Sequence, residues 1–593
     1  MIGEKLLIEL SSIIVLGVAA QWIAWRLSFP SIVLLLLFGF IAGPLTGFLH
    51  PDLIFGNLLS PIVSVSVSVI LFEGGMSLKI GELKRVGTAI WRLITIGAIV
   101  SFVITTLASR YILNLSLHMS FLIGAILIVT GPTVIMPLLR YVKPGKNVSS
   151  VLRWEGIITD PIGAMVAVLI YEAIISGGSE AAVIITAGLF KTVFVGFFVG
   201  VIGAVIIVIF LNRYWVPDFL QNSISIMIVI LSFTLSNIFQ SESGLFAVTV
   251  MGIVLANQKY ANIKHIIEFK ENLRVLLISS LFIILSAKLN MDILTGFDWH
   301  ELYFLLVLFF VARPVSVFVS TFGSSLKFRE KLFISWMAPR GVVAAAVASI
   351  FTLRLTQNGF HEAVILVPLT FTVIISTVLV YGVTAGPFAR FLGVSQANPQ
   401  GFLIAGAHKW ARMLALALKK ENIQVVLIDT NKENIYQAKI SGIQSVYGNI
   451  LSEEVKGKIE LEGIVRLLAI TPNDEVNSLS ALEYGEIFGR SEIYQLSRDD
   501  EDNKKEEMPA HLQGRKLFGK KITYSFLAER FAAGAVIHSR AIGNEYTLQD
   551  FKKENGDNVI IFFKINSERE VYVNTIDRQL QFRPGDTILY ISA

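Results

Sequence analysis

Hydrophobic positions are distributed along this chain in two different ways. From the N-terminus to about residue 391 they form long, nearly unbroken runs, with charges mostly confined to short connectors. From residue 398 onward they come in short blocks separated by amphipathic stretches. An apolar stretch of about 17–25 residues is long enough to span a bilayer as a helix. Thirteen such spans are predicted, near 5–26, 30–49, 58–76, 87–110, 118–140, 150–176, 182–211, 219–240, 243–258, 270–289, 301–322, 329–354 and 361–391. The first carries Glu4 and Glu9 and ends in Trp25-Arg26 rather than at a small-residue cleavage site, so it is expected to stay as a span.

The remainder changes period. Gly401–Ala405 and Gln424–Asp429 predict strands on either side of a helix-like stretch from Ala407 to Lys420. Further strands are expected at 445–447, 467–470 and 492–494, with helical patterns between them. Such alternation predicts a parallel, doubly wound α/β sheet. Residues 500–512 form a charged linker. Val559–Lys564, Glu570–Val573 and Thr587–Ile591, with a turn at Pro584-Gly585, predict a small β-rich lobe. The expected division is a membrane unit at 1–393, a Rossmann-like domain at 398–500 and a C-terminal part at 513–593.

Composition supports this division. Over 593 residues the chain is 54% hydrophobic and 16% charged, below the roughly 25% charge of soluble domains. There is no cysteine, which excludes disulfides, thiolate metal sites and cysteine nucleophiles. The net charge of +5 suggests nucleic acid less than it suggests an excess of bases in cytoplasmic loops. With the N-terminus outside, inward connectors carry Lys79, Lys84, Arg85, Arg140, Lys143, Lys146, Arg153, Lys259, Lys264, Lys270, Lys327, Arg329 and Lys331. Outward ones carry Asp52, the 176–180 run, Glu242, Asp292 and Asp298. An odd number of spans then leaves the tail in the cytoplasm of a cell-membrane protein.

Charges at membrane depth are expensive and mark function or pairing. The sixth span holds Glu155 and Asp160, five residues apart and so about 140° apart around a helix. They are expected to serve different neighbours, and Pro161 loosens the helix beside Asp160. An isolated buried carboxylate favours a proton or a cation over standing bare, and it holds one at the expense of the other. Two helix breakers, Thr130-Gly131-Pro132-Thr133 and Ala338-Pro339-Arg340-Gly341, interrupt the fifth and twelfth spans in corresponding places. Matched interruptions of this kind point to inverted repeats around a midplane site. Arg313 and Arg340 lie in the eleventh and twelfth spans, and each needs a counter-charge or the C-terminal end of a half-helix. Glu155 is the natural partner of one of them, with Arg313 favoured. Asp160 is then the free, titrating acid. Glu73 is a further acid, interfacial or flanking an ion path, and His118 and His361 are expected at solvated helix ends.

The pattern of Glu155 and Asp160, the break at Thr130–Pro132, Arg313 and Arg340-Gly341 resembles the monovalent cation/proton antiporter family of sodium/proton antiporters and exchangers. The resemblance covers residues 5–391. It implies a homodimer of thirteen-helix protomers with two broken, crossing helices, and exchange of Na+ or K+ for H+ in pH homeostasis. It further implies that Asp160 binds cation and proton in turn and that Thr130 supplies a ligand through its carbonyl. Thr159 stands where many members have Asn, and Gly131 where many have Asp. Both changes remove ligand capacity and leave one obvious titrating acid, consistent with electroneutral exchange.

The tail resembles the regulatory nucleotide-binding domains of potassium uptake systems and channels, with Gly406 at the first turn and Asp429 ending the second strand. In a dinucleotide fold Gly406 makes the tight turn and the acid holds a ribose. His408, however, stands in place of the second glycine of the pattern. The resemblance implies a regulatory nucleotide of the NAD or AMP/ATP kind in a chain that is not an enzyme. A ligand-gated potassium channel is the alternative, but no filter sequence of the Thr-Val-Gly-Tyr-Gly kind is present.

Overall fold

The computed structural model describes the chain except for residues 1, 28, 177–180, 262, 290–297, 396–398, 453–454, 456–458, 460, 462, 499–512, 520, 544–549, 552, 554–558, 579 and 592–593. The expected linker at 500–512, Asp292 and most of the 176–180 run lie outside the described residues, as do the side chains of Lys264 and Lys270. The chain divides into two compact units, Met1–Ser395 and Gln396–Ala593.

The first unit is all helix: α1 (Ile2–Arg26), α2 (Ser31–Leu45), α3 (Pro51–Met76), α4 (Ile80–Tyr111), α5 (Leu117–Ile126), α6 (Pro132–Val142), α7 (Lys146–Ile175), α8 (Ala181–Asn212), α9 (Asp218–Phe239), α10 (Ser243–Asn257), α11 (Lys264–Ala287), α12 (Trp299–Ser320), α13 (Phe328–Trp336), α14 (Val342–Gln357) and α15 (Leu366–Leu392). Among the described residues eight helices are long and apolar enough to cross a membrane, and five shorter apolar ones accompany them. Large apolar side chains such as Leu7, Val15, Phe190, Phe194 and Ile202 stand exposed, as a lipid-facing surface requires. Inward faces are built from small residues that bring backbones close. Gly252 of α10, for example, meets the backbone of α3 so closely that a Cβ there would lie 2.3 Å from Phe72 O.

The expected interruptions are real and follow from local sequence. α5 ends at Ile126, the chain runs irregularly to Gly131, and Pro132 opens α6, where a missing N–H costs nothing. α13 ends at Trp336 and α14 begins after Gly341. Arg313 follows a π-helical turn at Leu308–Ala312 and precedes Pro314, which lacks a backbone donor. α7, by contrast, runs through Pro161 without a break.

The second unit carries a parallel sheet of β1 (Gly401–Ala405), β2 (Val425–Asp429), β3 (Gln444–Tyr447), β4 (Ile464–Ala469), β5 (Ile493–Gln495) and β6 (Arg515–Lys516), in the order β3-β2-β1-β4-β5-β6. β1 is buried along its whole length, which explains its unalternating apolar run. The helix α16 (Lys409–Lys420) crosses from β1 to β2 and shares one face of the sheet with α17 (Lys432–Ile440), while α18 (Asp474–Phe488) packs on the opposite face. α19 (Tyr524–Ala532) leads into an antiparallel sheet of β7 (Ile537–Ala541), β8 (Ile560–Ile565), β9 (Val571–Val573) and β10 (Thr587–Ile591), ordered β7-β10-β8-β9. Within the part expected at 513–593, Arg515–Lys516 pairs with β5 and completes the parallel sheet, while the later strands form the antiparallel one.

Candidate functional site

The two interrupted helices meet at their breaks. The Gly131 N–H donates to Pro339 O at 3.1 Å. A Cβ on Gly131 would lie 2.3 Å from the Gly341 Cα, and one on Gly341 would lie 2.5 Å from the Gly131 Cα. The crossing is therefore a backbone-on-backbone contact that leaves no room for a side chain at either position. Two half-helix C-termini and two half-helix N-termini converge here, bringing partial negative and positive charge into the bilayer-spanning unit.

Arg340 and Arg313, both buried, each answer one of the negative ends. Arg340 donates through Nη1 to Ile128 O at 3.3 Å and Val129 O at 3.2 Å, just past the end of α5, and its own N–H is held by Thr377 Oγ1 at 3.2 Å. Arg313 donates to Ile334 O at 3.2 Å and Met337 O at 2.9 Å, at the end of α13. Its two terminal nitrogens also form a fork with Glu155, Nη1 to Oε1 and Nη2 to Oε2, the latter at 2.8 Å. The choice between Arg313 and Arg340 is thus settled in the structure in favour of Arg313. Such a pair is buried on both sides, and removing one partner typically costs about 3–5 kcal/mol.

On the same helix Thr159 donates to Glu155 O at 2.6 Å, and its hydroxyl meets that of Thr130 from the first break. This ties α7 to the crossing one residue before Asp160. One turn on, Gly163 packs against Val129, where a Cβ would come within 2.4 Å of Cγ2. Asp160 is 1% exposed, and neither carboxylate oxygen has a hydrogen-bond partner among the described residues. The Thr133 hydroxyl, in the first turn of α6, is likewise buried without one. Thr130, Gly131, Glu155, Thr159, Asp160, Arg313 and Arg340 all belong to this one neighbourhood.

Glu73 is held inside the protein. It is 4% exposed, and Arg274 of α11 donates to its Oε1 at 2.7 Å. Arg274 was missed because it sits in a segment that reads as a membrane entry, close behind Lys264, Lys270 and Glu271. His118 and His361 are exposed, as expected.

Comparison with known proteins decides the lineage. The model of the sodium/hydrogen exchanger transmembrane family matches residues 11–391. The chain belongs to the sodium/hydrogen exchanger family. Na(+)/H(+) antiporter 1 of Methanocaldococcus jannaschii is 29% identical over 423 residues, covering 69% of this chain and 94% of that protein. The K(+)/H(+) antiporter NhaP of Alkalimonas amylolytica is 26% identical over 394 residues, 65% of this chain and 66% of that one. The solved sodium proton antiporter MjNhaP1 of Methanocaldococcus jannaschii superposes with a TM-score of 0.57 at 26% identity, over 65% of this chain and 99% of that structure. Residues 402–510 match the TrkA-N domain, so this exchanger carries that domain behind its membrane unit.

In the tail, Gly406, His408 and Asp429 do come together. Gly406 turns with a φ of +108°, a conformation that favours glycine, and its N–H donates to Ile428 O at 2.7 Å. The turn is built as a nucleotide fold would build it. The His408 ring lies against the glycine, with Nε2 3.2 Å from where a Cβ would stand.

Proposed function

We propose that the membrane unit exchanges a monovalent cation, Na+ or K+, for protons by alternating access, with Asp160 as the group that carries one or the other. The supporting observation is the allocation of partners. Glu155 is neutralised by Arg313 and Glu73 by Arg274, whereas both oxygens of Asp160 are buried with no donor among the described residues. A bare carboxylate in such surroundings is costly, and a proton or a cation relieves the cost. Thr130, Thr159 and Thr133 place neutral oxygens around the crossing, the ligand type that alkali cations take. The unit charge of Asp160 is cancelled by one cation or one proton, so exchange is one for one and electroneutral. On this reading all thirteen apolar helical regions cross the cell membrane, with the N-terminus outside and the tail in the cytoplasm, and the protein works as a homodimer whose tail regulates flux.

The test is proton flux driven by Na+ or K+ gradients in proteoliposomes. Asp160→Asn is expected to abolish exchange while the protein keeps its elution profile and melting midpoint. Wild-type-like exchange by that variant would remove Asp160 from the mechanism. Truncation after Gly393 is expected to change the pH profile of flux, and an identical profile would reduce the tail to a scaffold.

A further inference from the structure

The turn between β1 and α16 is where a doubly wound domain receives the pyrophosphate of a nucleotide, on the free N–H groups at the helix start. In this chain two of the donors around that turn are engaged from within. The Ala411 N–H, in the first turn of α16, donates to His408 Nδ1 at 3.3 Å. The Ala407 N–H donates to Asp429 Oδ2 at 2.7 Å. Because Nδ1 accepts, the imidazole proton sits on Nε2, which donates to Ile470 O at 2.9 Å beyond the end of β4. The ring thus bridges β1, β4 and α16 across the crevice. Its Nε2 lies only 3.2 Å from where a Cβ of Gly406 would stand. Trp410 and Tyr524 flank it, with ring centroids at 4.5 Å and 5.1 Å.

The acid is occupied as well. Asp429 accepts from the Asn431 N–H through Oδ1 at 2.8 Å and from Asn434 Nδ2 through Oδ2 at 3.0 Å, besides Ala407. Arg412 closes the same side by donating to Ala407 O at 2.6 Å. No carboxylate oxygen is left bare for a ribose. The residues present therefore do not fit a dinucleotide in this crevice.

We infer that His408 is a built-in plug that takes the place of a phosphate at the helix start and closes the tail's glycine turn to pyrophosphate-bearing nucleotides. The inference does not depend on the transport mechanism. Burial holds the imidazole at a pKa of about 4, below its ordinary 6.5, against smaller opposing effects of the Ile470 hydrogen bond and Asp429. The ring is therefore neutral at physiological pH and presents no positive charge to a phosphate.

Calorimetric titration of the full-length, detergent-purified protein with NADH and with ADP tests this. Wild type is expected to show no saturable binding up to about 1 mM. His408→Gly restores the second glycine and is expected to bind at least one probe at least about tenfold tighter than that limit. Saturable wild-type binding of either probe that Asp429→Ala abolishes would overturn the inference. So would a His408→Gly protein that melts like wild type yet binds no better. Should His408→Gly fail to fold, His408→Ala is titrated in its place with the same two readings, and the wild-type titration stands independently of both.

Discussion

The crossing in the membrane unit and the glycine turn of the tail both set an acid beside a tight backbone turn, and they treat it in opposite ways. At the crossing, the positive groups are spent elsewhere: Arg313 on Glu155, Arg340 on the carbonyls past α5. Asp160 is left with no donor among the described residues. In the tail, both oxygens of Asp429 accept from the protein, from Ala407, Asn431 and Asn434, and the helix start is capped by His408. A buried polar group without a partner demands one from outside, and a satisfied one demands nothing. The same accounting marks one acid as wanting a partner and the other as supplied with several, although the tail's turn has more of the outward signature of a ligand site.

The sharpest way to break this contrast is to replace both acids by their amides. Asp160→Asn is expected to reduce exchange to background, while Asp429→Asn leaves flux per folded molecule unchanged. Equal losses would erase the distinction. Next in size is the buried ion pair. Glu155→Ala strands Arg313 in an apolar surround, and a destabilisation of about 3–5 kcal/mol is expected in detergent melts. The double variant with Arg313→Leu should cost less than the sum of the single changes, since the stranded charge disappears. Strict additivity would mean the two residues do not interact.

A smaller effect is expected at the crossing itself. Gly341→Ala drives a methyl into the backbone of Gly131, and overpacking of this kind costs about 1–3 kcal/mol. Because the contact joins the two broken helices, flux should fall with stability, and a variant that melts lower yet transports normally would detach the crossing from the mechanism. The smallest effect concerns pH. The folded tail holds His408 at about 4, below the ordinary 6.5, so between those values the unfolded chain binds more protons. Stability is then full above about pH 6.5 and declines as pH falls toward 4. Amide exchange of peptides from β1 and α16 should accelerate over that window in wild type and less so in His408→Ala. An equal acceleration in both would deny the imidazole its buried, neutral role.

Much of this was legible in the sequence because intramembrane charges are few and each must be accounted for. Glu155, Asp160, Arg313 and Arg340 stand out in apolar runs, and the paired Gly-Pro breaks announce the crossing. Which arginine Glu155 takes was not fixed by spacing, since both answers satisfy a one-dimensional count and only the fold brings α12 beside α7. The Glu73–Arg274 pair was hidden for a related reason: each residue lies toward the end of its apolar run, where a charge ordinarily reaches water. In the tail, the strands read well where they are buried. β6 has two residues, and β7 carries His538, Ser539 and Arg540 on an exposed sheet edge, so neither leaves a hydrophobic period to find. The role of His408 was visible only as a departure from pattern, because its meaning rests on what the ring touches across the crevice.

The central claim is that Asp160 holds a cation and a proton by turns. It is tested most directly by adding Na+ or K+ to purified protein in weak buffer and counting protons released per cation bound. The account predicts close to one proton per cation in wild type, weaker cation binding as pH falls, and no release from Asp160→Asn. Cation binding without proton release, or full release from Asp160→Asn, would contradict it.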